Sequence, residues 1–104
     1  MSFDVRFSTA ADGDLERLFD FLLDRAKTAA GVDLAQAAIE AIRSAVLHQL
    51  AKTPYSFRKA GAKPTRRELI IPFGATGYVA LYEIASTSSI VVLAVRHQLE
   101  EDYH

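Results

Sequence analysis

No cysteine occurs among the 104 residues. That excludes disulfides and thiol chemistry, and it suits a reducing cytoplasm. No apolar run approaches the ~20 residues of a membrane span. The opening MSFDVRFS lacks the basic start and apolar core of a secretory signal. Net charge is −1, so no overall excess of cations marks a nucleic-acid binder. Three histidines, at 48, 97 and 104, stand without ligand spacing, and no zinc site is expected. No glycine-rich phosphate loop, internal repeat or linker is present. These absences leave one cytoplasmic domain over residues 1–104, away from membranes, with no cofactor and no metal implied.

Half of the residues are hydrophobic, enough for one modest core. A chain of this length buries roughly two-thirds of its unfolded surface, so partner binding can matter to its stability. Phe3, Val5 and Phe7 alternate with Asp4 and Arg6, which predicts a short strand with one buried face. Ser8 or Thr9 caps a helix, with Asp12, Asp14 and Glu16 in its first turns. Leu15, Leu18, Phe19 and Leu22 form its apolar stripe. Ala30-Gly31 reads as a break, and Asp33 as the cap of a second helix from about Leu34 to Lys52. Its alanines allow close helix packing, and the tight connection predicts an antiparallel hairpin.

Three strands are expected toward the end: Arg67 to Phe73, Gly77 to Ile84 and Ile90 to Arg96. Gly74 and Gly77 bracket the first turn, and residues 86–89 make the second. Short connections force antiparallel neighbours. The fold class is therefore α+β: an N-terminal strand, a helix hairpin, then a three-stranded antiparallel meander, with the helices on one face. Tyr78 and Tyr82 share a face of the middle strand and read as core aromatics. His48 reads as a surface or boundary residue.

Between Lys52 and Arg67 there is no acid. The segment carries Lys52, Arg58, Lys59, Lys63, Arg66 and Arg67, with Tyr55 and Phe57 interleaved, and Gly61 and Pro64 read as loop residues. Such a basic rim suits an anionic partner, while for any single residue a solvated loop charge is the simpler reading. A second candidate group is Arg96 and His97, delivered at the exit of the last strand. An imidazole suits proton transfer and a guanidinium suits a phosphate. The plainer alternative is the solvated end of a strand.

The run RRELIIPFGATGYVALYEI together with VLAVRHQLEEDY resembles the RelE/ParE superfamily of toxins from type II toxin–antitoxin modules, the ParE-like branch most closely. The resemblance covers nearly the whole chain. It implies a plasmid-stabilisation toxin that inhibits DNA gyrase and is neutralised by a cognate antitoxin in a hetero-oligomer. Lys63, Arg66, Arg67, Arg58 and Lys59 would then meet antitoxin or target. A RelE-like reading implies a ribosome-dependent mRNA endoribonuclease, with Arg96, His97 and Tyr103 at the positions where that branch cleaves RNA. A third reading keeps the fold as a non-toxic antitoxin-binding relic. Two departures oppose the ribonuclease reading. Val79 follows Gly77-Tyr78 where that branch has a cation, and Glu100, Glu101 and Asp102 are acidic.

Overall fold

Val5 and Phe7 turn inward from a four-residue strand, β1 (Asp4–Phe7), as their alternation requires. The computed structural model describes residues 2–100, 102 and 103, so the expectations for Glu101 and His104 lie outside the described residues. Ser8 caps α1 (Thr9–Arg25) by accepting the Ala11 N–H at 3.1 Å. The stripe Ala11, Leu15 and Leu18 is buried.

The second helix departs from expectation. α2 runs Ala29–Lys52, so Ala30-Gly31 is helical and Asp33 is not its cap. Thr28 is the cap, and its hydroxyl accepts the Gly31 N–H at 3.2 Å. Alanine is the strongest helix former, so Ala29 and Ala30 extend the helix backward. Gly31 lies close to the preceding connection instead: a Cβ there would stand 3.0 Å from that of Ala26, tighter than an ordinary contact. Ala35, Ala38, Ile42, Val46 and Leu50 line the buried side of α2.

The segment 52–67 is also more ordered than a loop. Pro54–Ser56 makes a 3-10 turn, and β2 (Arg58–Lys59) pairs with the first meander strand. The Tyr82 hydroxyl donates to the Pro54 carbonyl, and Arg67 donates to the carbonyls of Tyr55 and Phe57 at 3.0 and 2.8 Å. Those contacts hold the turn against the sheet, something no hydrophobic period could signal.

The meander itself is β3 (Arg66–Phe73), β4 (Thr76–Ile84) and β5 (Ser89–His97). The sheet order is β1-β5-β4-β3-β2, antiparallel except for the parallel pair β1–β5. Both helices lie on one face, where Leu15, Leu18, Ile42 and Leu50 pack on Leu69, Ile71, Tyr78, Tyr82, Ile90 and Val92. Each such side chain contributes roughly 1.5–3 kcal/mol by leaving water.

A bulge falls in β5, because Ala94 pairs with Leu81 and Val92 with Tyr82, leaving Leu93 unmatched. The helix side repairs it. Asp14, at 7% exposure, accepts the Val95 N–H at 2.9 Å, and the Ser8 hydroxyl donates to the Leu93 carbonyl at 3.2 Å. A buried carboxylate thus has a backbone partner. The bulge also re-aims the last residues of β5, which carry the candidate site.

Candidate functional site

β5, flanked by β1 over its first half and by β4 along its length, delivers Arg96 and His97 to its far end beside Val79 and Tyr78. They face opposite ways. His97 pairs with Tyr78 and meets its ring edge-on at 5.4 Å, on the helix-covered face. The Leu99 N–H donates to His97 Nδ1 at 3.1 Å, which leaves Nε2 as the donor toward Thr76 Oγ1 at 3.2 Å.

Arg96 pairs with Val79 on the open face. Its guanidinium lies 5.1 Å from the Tyr103 ring, and the Tyr103 hydroxyl donates to Glu68 Oε2 at 2.5 Å. The tyrosine therefore spans from β5 to β3, crossing β4 where Val79 is 2% exposed. Arg96 Nη1 also donates to the carbonyls of His97, Gln98 and Glu100, at 3.3, 3.4 and 2.6 Å. The pair clamps the C-terminal turn onto the open face.

The chemistry of these groups follows from their surroundings. Burial, then the hydrogen bond to Glu68 and its charge, push the Tyr103 hydroxyl well above the ordinary tyrosine range, against a smaller opposing pull from Arg96. The phenol is held protonated and already donating. Glu68 in turn accepts Arg58 Nε at 2.9 Å.

The basic segment is also largely engaged. Lys63 and Arg66 approach Glu83 at 3.8 and 3.6 Å, and Thr65 donates to the same carboxylate at 3.2 Å. Arg67 lies 5.6 Å from the Tyr55 ring while holding its two carbonyls. Lys59 is exposed on the two-residue strand β2. The acids that answer these cations come from β3 and β4, which is why the acid-free reading of residues 52–67 missed them.

Sequence reasoning also missed an apolar groove. It has a volume of about 770 Å³, walled by Leu18, Phe21 and Leu22 of α1 and Leu34 and Ala38 of α2. Phe73, Tyr78 and the β3–β4 turn make its floor, and His97, Leu99 and Glu100 its far rim. Phe21, Leu34 and Leu99 are 55%, 58% and 76% exposed. Large apolar side chains gathered in one open groove mark an interaction surface. The signal in the sequence was Phe21 and Leu34, which stand off the two buried helix stripes.

A family model described as the ParE toxin of the type II toxin–antitoxin system parDE matches residues 5–102. Toxin RelE1 of Caulobacter vibrioides is 36% identical over 101 residues, 97% of this chain and 99% of that protein. A chain from the chromosomal ParDE system of P. aeruginosa superimposes with a TM-score of 0.70 at 16% identity, covering 92% of this chain and 96% of that one. A chain of the RelBE2 toxin–antitoxin complex from Mycobacterium tuberculosis does so at 0.65 with 21% identity, covering 94% and 100%. The structural likenesses speak for the fold, and the family match for the lineage: this chain belongs to the ParE toxin family of type II toxin–antitoxin systems.

Proposed function

We propose that this toxin arrests growth by binding and inhibiting DNA gyrase in the cytoplasm, and that a cognate antitoxin neutralises it in a hetero-oligomer. The observation that carries the gyrase reading is the division of the three RNA-cleavage candidates between the two faces of the sheet. Cleavage through a 2′-hydroxyl needs a base, a cation and an acid converging on one phosphate. Here His97 packs on Tyr78, while Arg96 and Tyr103 clamp the C-terminal turn on the other face. Val79 occupies the place between them on β4 where the ribonuclease branch has a cation.

The two solved neighbours described above come from toxin–antitoxin systems, which supports an antitoxin partner. The apolar groove is the seat we assign it. An amphipathic helix laid between α1, the start of α2 and the β3–β4 turn would cover Phe21, Leu34 and Leu99 together. Lys59, exposed on β2 at the other end of β3 from the groove, would add attraction to an acidic segment of the partner that extends along the sheet.

The test is induction without antitoxin, with the DNA-damage response and transcript integrity followed side by side. Gyrase inhibition predicts a damage response with intact mRNA, and a His97→Ala variant that keeps toxicity within a few-fold of the parent. Rapid mRNA cutting, abolished by His97→Ala, would establish the ribonuclease instead. Unimpaired growth would establish the non-toxic relic.

A further inference from the structure

The groove holds one cation whose donors are not fully used. Arg17 of α1 lines it, and its Nε and Nη2 are shielded from solvent with no hydrogen-bond partner among the described residues. Nη1 reaches Glu100 only at 3.4 and 3.5 Å. Charge-assisted bonds of this kind close to about 2.7–2.9 Å when well made. Glu100 has another attachment, because its Oε1 accepts the His97 N–H at 2.9 Å. The carboxylate therefore remains anchored to the strand end if the arginine leaves it. A guanidinium with buried, unmatched donors costs free energy until an acceptor is supplied.

We infer that Arg17 is a specificity-determining residue of the groove: it receives a carboxylate carried by an otherwise apolar amphipathic helix, in exchange for its loose contact with Glu100. This rests on the reading that an antitoxin helix occupies the groove. Charge complementarity selects the chemistry of the occupant. The walls are apolar, so they accept leucine- or phenylalanine-type side chains. Released from its loose contact with Glu100, the guanidinium turns its planar fork onto the incoming carboxylate, which it fits through two bonds. An occupant with a neutral or basic residue at that point would leave the guanidinium as poorly matched as before.

The experiment uses a phage-displayed library of short amphipathic helices selected on the full chain. Three apolar positions at helical spacing are fixed, and the polar positions are randomised. The expected winners carry Asp or Glu at one recurrent position and lose binding to a Phe21→Asp variant. Against Arg17→Gln the same peptides weaken by about tenfold, and reselection on that variant shows no acid preference. Should Arg17→Gln melt early by circular dichroism, Glu100→Gln supplies the second measurement. It removes the competing carboxylate, and the acidic peptides then bind several-fold tighter. Winners that dock in the groove with no acid preference would overturn the role of Arg17 while leaving the antitoxin seat intact. Winners insensitive to Phe21→Asp would overturn the seat and the inference together. A groove occupied by a second copy of the chain, seen as a dimer that Phe21→Asp dissolves, would do the same. None of these results bears on gyrase against mRNA, which the induction experiment decides.

Discussion

Tyr82 is fully buried at the centre of the core, and its hydroxyl donates to the Pro54 carbonyl. Burial pushes its pKa up to about 12, against a smaller opposing pull from Arg67. The sign follows from which state holds the proton. Unfolded, the phenol ionises near 10; folded, it resists until about 12. Above pH 10 the unfolded state therefore binds fewer protons, and stability falls as pH rises from about 10 to about 12, by at most about 1.4 kcal/mol per pH unit for this group. The raised values of Tyr78 and Tyr103 act in the same direction. Thermal melts across that range are expected to show the decline, and Tyr82→Phe to flatten it. At neutral pH the same variant is expected to lose about 1 kcal/mol with its hydrogen bond. A Tyr82→Phe melt that tracks the parent at every pH would show that the hydroxyl is not held as described. Tyr82 was legible in the sequence as a core aromatic. Its bond to Pro54 was not, because the partners are distant in the chain and meet only once the 3-10 turn docks.

Among the elements, glycines separate two kinds of constraint. Gly77, the second residue of the middle strand, has no positive φ, yet a Cβ there would come 2.4 Å from the Ile71 carbonyl oxygen. Backbone cannot yield cheaply, so Gly77→Ala is expected to destabilise by about 1–3 kcal/mol. Gly13 sits inside α1 with nothing within 4 Å of its would-be Cβ. Gly13→Ala is expected to stabilise by about 0.5–1 kcal/mol. Urea melts of the two variants read both, and the same sign for both would refute the distinction. The sequence pointed to glycine 77 as a turn residue. The close approach behind it depends on the register of β3 against β4, which a single strand's pattern does not contain. The same limit explains the helix boundary. A glycine near a loop suggests a break, but the alanines at 29 and 30 favour helix, so the helix starts earlier and Thr28 caps it in place of Asp33. The meander was readable because apolar alternation and turn residues agree there. β2 was not, since Arg58 and Lys59 show no period and are a strand only through Glu68 and Arg67.

On the scale of the whole molecule, half of the cations fall in one acid-free stretch, which suggests a positive rim on a nearly neutral protein. Folding changes that picture, because Glu68 and Glu83 extend from β3 and β4 into the same rim and meet Arg58, Lys63 and Arg66. Linear charge order described the segment, while pairing across strands decides the field it presents. The candidate site was legible to the same degree. Arg96 and His97 were correctly placed at the end of β5, but the sequence could not tell that adjacent strand residues would be used on opposite faces. The field can be measured. Glu83→Gln removes the shared acceptor of Lys63 and Arg66 and raises the net charge by one unit. At low salt, where screening is weak, this variant is expected to elute from heparin at a clearly higher salt concentration than the parent. Lys59→Gln, which alters a cation on β2 without touching Glu83, should shift elution slightly the other way. Exposed ion pairs contribute little to stability, so both variants should melt within about 1 kcal/mol of the parent. Equal retention of parent and Glu83→Gln would mean that the acid does not restrain the rim, and that the cations already act as free charges toward an anionic partner.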